Sequence, residues 1–322
     1  MTQSNDPGMS PFNPSLWQGR IDREDPSLSI RLHQVVADGT DIAQFDNAPV
    51  LIGFACDEGV QRNQGRAGAA AGPDAIRNAL APLTVPADQR CYDLGTIPIV
   101  GNDMEGGQQT LGQTVASVLE RSGFPVVLGG GHEVAWGSYS GLRQAFPEAR
   151  IGILNFDAHF DLRNPDPITS SGTPFRQVAE HAEAHQHGFH YCVLGLNPSA
   201  NSQALMRYAA AHQVEWIEDI DCQMHYWNNC VQRLSQFIEK IDVLYITVCM
   251  DAFSAADAPG VSAPAAMGIN KSFAIQVLRY LLSTAGDKIR MLDIAETNPT
   301  YDRDGVTAKL AARLVWETIK NR

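Results

Sequence analysis

Six runs of strand length, nearly all apolar, recur along this 322-residue chain and alternate with longer amphipathic stretches. They are PVLIGFA (49–55), FPVVLGG (124–130), IGILNFD (151–157), HYCVLGL (190–196), VLYITVCMD (243–251) and IRMLDIAE (289–296). A strand wet on one face alternates apolar and polar side chains, whereas one that is apolar throughout must be covered on both faces. The cover lies between the runs, with helices expected over 108–121, 134–146, 203–212, 229–240, 271–284 and 307–320. The pattern predicts an α/β fold, a three-layer α/β/α sandwich around a mainly parallel sheet. Residues 1–45 are polar and proline-rich at first, then mixed. They read as an N-terminal arm packed on the domain or on a neighbouring subunit, and 46–322 read as a single catalytic domain.

In open sheets of this kind, ligands sit outside the carboxyl ends of the strands. The residues able to hold a metal fall there. His132 follows one run, Asp157 ends another and leads into His159 and Asp161, Cys249 and Asp251 end a third, and Glu296 ends the last. Asp157, His159 and Asp161 alternate with Ala158 and Phe160. In an extended segment alternate residues face one way, so three candidate ligands would meet at one place. Cys249 and Asp251 repeat the alternation, and Gly129 to Gly131 let the chain turn sharply before His132. Oxygen and imidazole donors together suit Mn²⁺, with Zn²⁺, Co²⁺ and Fe²⁺ open. Taken singly, His132 could be a structural histidine, Asp161 a helix cap and Cys249 a small buried hydrophobe. Taken together, clustered carboxylates are costly without a cation.

The net charge of −12 argues against nucleic acid and anionic membrane as partners, since both demand basic surface, and the expected partner is a small-molecule substrate. No basic start with an apolar run opens the chain, and no stretch nears the ~18 apolar residues of a membrane span. The six cysteines are scattered, several in apolar runs, which suits reduced buried thiols and a cytoplasmic setting.

The ordered set of motifs resembles the ureohydrolase family, to which arginase and agmatinase belong. Its pieces are GRAGAAAGPDAIR (65–77), GGGHE (129–133), DAHFD (157–161), TVCMD (247–251), APGVSAP (258–264) and DIAETNP (293–299). The resemblance implies an arginase-like sheet, two Mn²⁺ per subunit at the strand ends, and a homo-oligomer, trimer or hexamer. By the same resemblance His132 binds one metal, His159 the other, and Asp157 bridges them. Asp161 joins the first metal and carries protons, Asp251 holds the second, and Glu296 faces the substrate's cationic group. Cys249 stands where the family has its other bridging aspartate. A thiolate there is softer than a carboxylate and must lose a proton to bind.

Four details turn the expectation toward a member that hydrolyses N-formimidoyl-L-glutamate, in histidine degradation, rather than a guanidino compound. GGGHE replaces the usual aspartate before the histidine and serine after it; Cys249 replaces an aspartate; Ser171 stands where a histidine is usual; and Arg163 replaces an asparagine near the carboxylate end of the substrate. An arginine offers a bidentate partner, which suits a substrate with two carboxylates. Arg62, Arg66 and Arg176 are further candidates for that task, with Ser171 as another substrate contact. The alternatives are an agmatinase, guanidino-acid hydrolase or arginase, a metal-poor ligand-binding pseudoenzyme, and an amide-cleaving deacetylase on a related fold.

Overall fold

The computed structural model describes residues 8–322. Nine strands form one sheet, every pairing parallel. They are β1 (Val36–Asp38), β2 (Pro49–Ala55), β3 (Cys91–Pro98), β4 (Phe124–Leu128), β5 (Ile151–Phe156), β6 (His190–Leu196), β7 (Glu215–Glu218), β8 (Val243–Cys249) and β9 (Ile289–Ala295). Their spatial order is β1-β3-β2-β4-β9-β8-β5-β6-β7. The α/β three-layer expectation holds, and all six apolar runs are strands.

The pleat sends alternate residues to opposite faces, and two hydrophobic cores result. Leu51, Leu154 and Ile246 go to the core shared with α2 (Gly72–Leu80), α7 (Trp227–Glu239), α8 (Lys271–Thr284) and α9 (Val306–Ile319). Ile52, Ile153 and Tyr245 go to the core shared with α3 (Met104–Glu120), α4 (Val134–Ala145), α5 (Pro174–Ala184) and α6 (Gln203–Ala211). A short α1 (Glu58–Arg62) follows β2. Among the described residues no helix is long and apolar enough to cross a membrane.

Residues 1–7, the start of the expected arm, lie outside the described residues. Two parts of residues 8–45 contact the sheet. The Trp17 indole donates to Asp93 Oδ2 at 2.9 Å, the carboxylate that buried Arg77 also grips, through Nε at 2.9 Å and Nη2 at 2.8 Å. Val36–Asp38 goes further and joins the sheet beside β3 as its edge strand.

The four strands that run into the metal-type residues, β4, β9, β8 and β5, are consecutive in the middle of the sheet. Residues far apart in sequence are thereby gathered over one stretch of the sheet's carboxyl edge.

Candidate metal centre and its cavity

The metal-type side chains converge, but not by simple alternation. β5 stops at Phe156 and the chain bends at Ala158 and His159. Asp161 then takes a left-handed φ of 47°, which costs an L residue energy and persists only when its surroundings hold it. Glu296 is in the same region at φ 64°. After β8, residues Met250–Ala252 form a 3-10 turn, so Met250 enters the core while Asp251 faces the cavity. The expectation of a continuing extended segment is therefore corrected: a bent loop and a turn bring the same residues together.

The glycines before His132 serve close approach rather than an unusual backbone angle. A Cβ on Gly130 would overlap the Cys56 carbonyl, and none of Gly129 to Gly131 has a positive φ.

Two ligand groups form, and both contain Asp157. His132, Asp157 and Cys249 bring ligand atoms within 4.8 Å of one another, as do Asp157, His159 and Asp251. His132 Nδ1 lies 2.9 Å from Asp157 Oδ2 and 2.9 Å from Asp161 Oδ2. His159 Nδ1 lies 3.2 Å from Asp251 Oδ2 and 3.5 Å from Asp157 Oδ1. The far nitrogen of His132, Nε2, is 3.1 Å from the Thr247 hydroxyl, which leaves Nδ1 as the atom aimed at the centre.

The fit of this set to a cation shows in its unmet polar atoms. His132 Nδ1, Asp251 Oδ1 and Glu296 Oε2 are buried and make no hydrogen bond. His132 Nδ1 is close to two carboxylates yet in hydrogen-bonding geometry with neither, as expected of atoms that point at a shared third position. The electrostatics agree. Burial, then Asp157, raise Asp161 and Asp251 above the usual carboxylate range. Burial and the surrounding carboxylates likewise push the Cys249 thiol and Glu296 well up. For the histidines burial favours the neutral ring, but carboxylates outweigh it: His132 rises, and His159 is pushed up to about 12. So many anions in one buried place call for positive charge.

The centre floors a cavity of about 300 Å³. His132, His159, Asp161, Cys249, Asp251 and Glu296 line its base, and Arg66, Arg163, Ser171 and Asn201 line its walls. Glu296 is fixed by its own N–H, which donates to Gly130 O at 2.7 Å, while its Oε1 accepts from the His132 N–H at 3.1 Å.

The four candidate arginines separate. Arg163 is exposed at the cavity, and among the described residues only its backbone N–H is tied, to Gly172 O at 2.9 Å. Arg66 also lines it, but its guanidinium donates to the carbonyls of Val261 and Ser262 and lies 4.0 Å over the Tyr301 ring. Arg62 and Arg176 do not line it. Arg62 is held by Glu58 at 2.9 Å and Glu105 at 2.6 Å, and Arg176 by Glu180 at 2.6 Å above the Tyr208 ring. The reason is electrostatic: each finds a carboxylate nearer than the cavity.

Sequence reasoning passed over Asn201. Its side chain accepts from Phe160 N–H at 3.1 Å and donates to Ala158 O at 2.9 Å, bracing the metal loop from β6's side. Only its place just after a strand end could have flagged it.

The chain as a whole is similar to known proteins. A formimidoylglutamase of Rhodococcus jostii is 46% identical over 312 residues, covering 96% of each chain. A Trypanosoma cruzi formiminoglutamase, whose structure holds two Mn²⁺, superposes with a TM-score of 0.75 at 28% identity, over 86% of this chain and 93% of that one. The Bacillus subtilis formimidoylglutamase shares the fold, with a TM-score of 0.82 at 24% identity over 94% of each chain. Such structures mark the centre of this fold as a dinuclear manganese site, and the ligand groups for one are present here. Residues 47–320 match the arginase family, and with nearly full-length relatives above 40% identity the chain belongs to that family.

Proposed function

We propose that this protein hydrolyses N-formimidoyl-L-glutamate to L-glutamate and formamide, with two Mn²⁺ per subunit, as a step of histidine degradation. The observation that carries the reading is one buried carboxylate, Asp157, shared by two ligand groups at the floor of a cavity whose wall presents an unpaired arginine. The extent of the identity to formimidoylglutamases supports the substrate.

In this reading His132, Asp157, Asp161 and Cys249 would hold one metal, and Asp157, His159 and Asp251 the other. Bound there, the two cations supply a water that is ionised near neutral pH as the nucleophile for the amidine carbon. The residues do the rest. The formimidoyl group is a cation near neutral pH, and Glu296 offers it Oε2, a buried oxygen with no other partner. As the bond from the amidine carbon to the glutamate nitrogen breaks, that nitrogen takes a proton, which Asp161 is placed to donate. Arg163, with Ser171 beside it, meets the glutamate carboxylates at the wall. The six free, buried cysteines suit a cytoplasmic setting, and family analogy adds a homo-oligomer, trimer or hexamer.

The test is release of glutamate from N-formimidoyl-L-glutamate, with and without added Mn²⁺, beside agmatine and arginine. Metal-dependent release from the first alone supports the proposal. Turnover of a guanidino compound in its place, or of none of the three at full metal loading, overturns it.

A further inference from the structure

Beneath the candidate metal centre lies a buried chain of neutral hydrogen bonds that the reaction does not use. Asn155, on β5, is completely buried and sits two residues before Asp157. Its Nδ2 donates one proton to Asp157 Oδ2 at 3.0 Å and the other to the Tyr191 hydroxyl at 2.9 Å. Tyr191, buried on the neighbouring strand β6, donates in turn to the Phe160 carbonyl at 3.0 Å. The direction of this chain is forced. A carboxylate can only accept, and the Tyr191 proton is spent on a carbonyl, so both neighbours of the Asn155 amide require a donor and the amide cannot be turned over.

The chain constrains both carboxylates that flank His132. Asp157 Oδ1 accepts from the His159 N–H at 2.7 Å, and Oδ2 accepts from Asn155. With one donor behind each oxygen, the carboxylate plane is fixed, and the outward side of each oxygen faces a ligand group. At the other end, the Phe160 carbonyl belongs to the peptide that sets the φ of Asp161, the residue in the strained left-handed region. A strained residue persists when neighbouring bonds over-determine it, and Tyr191 supplies one of them. Asn155 and Tyr191 thus tie the start of the loop to its end.

We infer that Asn155 and Tyr191 are positioning residues for the metal centre, holding Asp157 and Asp161 at the separation and angle that bind a cation. The inference rests on the proposed reading of those residues as metal ligands. An aspartate at 155 would set two anions side by side, so the brace requires a neutral donor. The two residues act as one unit, because each bond is useful only while the other is made.

Mn²⁺ affinity measured by calorimetric titration of the full-length protein tests this, with the thermal midpoint of the metal-free form as a control on folding. The wild type should bind two ions. Tyr191→Phe removes one oxygen and keeps the ring stacked on Phe175, so it should fold; Asn155→Leu replaces the amide with a bulkier apolar group of the same branching, so Tyr191→Phe is the cleaner variant. Each should weaken Mn²⁺ binding about 10- to 100-fold, the usual cost of losing a residue that orients a ligand. The double variant should lose little more than the worse single one, as members of one network do. A purely packing role would lower the thermal midpoint and leave affinity alone. Wild-type affinity in folded Tyr191→Phe overturns the inference while leaving the metal reading intact, and so do losses that simply add. Absence of Mn²⁺ binding in the wild type overturns the metal reading, and the inference with it.

Discussion

His132 Nδ1 stands 2.9 Å from Asp157 Oδ2 with no hydrogen bond between them. Two groups that could bond and do not are arranged for something else, and the other oxygen of Asp157 lies 3.5 Å from the ring Nδ1 of His159 in the second ligand group. If Asp157 serves both metals, Asp157→Ala should lower bound Mn²⁺ and remove nearly all turnover on N-formimidoyl-L-glutamate, because one truncation disarms both sites. Metal analysis of the purified variant, paired with a turnover assay at saturating Mn²⁺, decides it. Near wild-type turnover would show that Asp157 is not a shared ligand.

Cys249 is the softest member of the set and the one with a plain alternative as packing. It is buried, and burial with four nearby carboxylates holds its proton on. Only a cation close by reverses that balance. Cys249→Ala should therefore weaken one of two Mn²⁺ ions by more than the about 10-fold that even an indirect neighbour of a ligand is worth. Cys249→Asp, a harder donor, should match or exceed the wild type. Two unchanged ions in the alanine variant would reduce Cys249 to a packing residue.

Much of this centre is legible in the sequence, for a physical reason. Ligands must be gathered at strand carboxyl ends, and apolar runs locate those ends, so His132, Asp157, Cys249 and Asp251 announce themselves. Less regular elements do not. β3, CYDLGTIP, mixes polar with apolar residues because Asp93 is buried against Arg77 and Trp17 rather than exposed. β7, EWIE, and β1, VAD, are edge strands too polar or too short to register. α5 (Pro174–Ala184) is not among the helices expected from the sequence, and it opens on a proline. The direction of a long side chain is the least legible property. Arg62 turns from the cavity because Glu105 lies 43 positions away in sequence and 2.6 Å away in space. Asn155 and Tyr191 leave no signal, since neutral residues inside apolar runs look like tolerated polarity.

Away from the centre, Glu317 ties α9 to α8 and makes a prediction about pH. Its side chain is buried, bonded by Arg279 at 2.8 Å and Arg313 at 2.6 Å, with Lys320 at 3.1 Å. Burial would raise its carboxyl, but these cations outweigh it and hold it at about 2. A lowered folded value means stability that is complete above the ordinary value of 4.5 and lost as pH falls through about 2. The upper bound is about 3 kcal/mol, and the half-exposed arginines cut it to about 1–2 kcal/mol through solvent screening. Glu317→Gln should melt several degrees below the wild type at pH 7, and the gap, followed by circular dichroism, should be smaller at pH 3, closing only below the folded value of about 2. An equal gap at both values would assign the loss to packing instead.

Substrate charge sets the last prediction. With the formimidoyl carbon at the metals, the two glutamate carboxylates point up the cavity wall, and an acidic protein must meet them with a cation there. Arg163 is two positions beyond Asp161, lines the cavity and is exposed, whereas Arg62 and Arg176 are held by glutamates elsewhere. Arg66 reaches the wall, but two carbonyls and the Tyr301 ring already occupy its guanidinium. Arg163→Leu should therefore remove a charge-assisted pair worth roughly 1.5–3 kcal/mol, or about 10- to 150-fold in kcat/KM. A carboxylate far from the reacting carbon is bound alike in ground and transition states, so the loss should fall on KM with kcat little changed. Bound Mn²⁺ should stay at the wild-type count, which separates a recognition defect from a damaged centre. Steady-state kinetics on N-formimidoyl-L-glutamate alongside metal analysis read all three. A wild-type KM in Arg163→Leu would move the carboxylate site to Arg66, and a wild-type KM in both single variants would count against a dicarboxylate substrate.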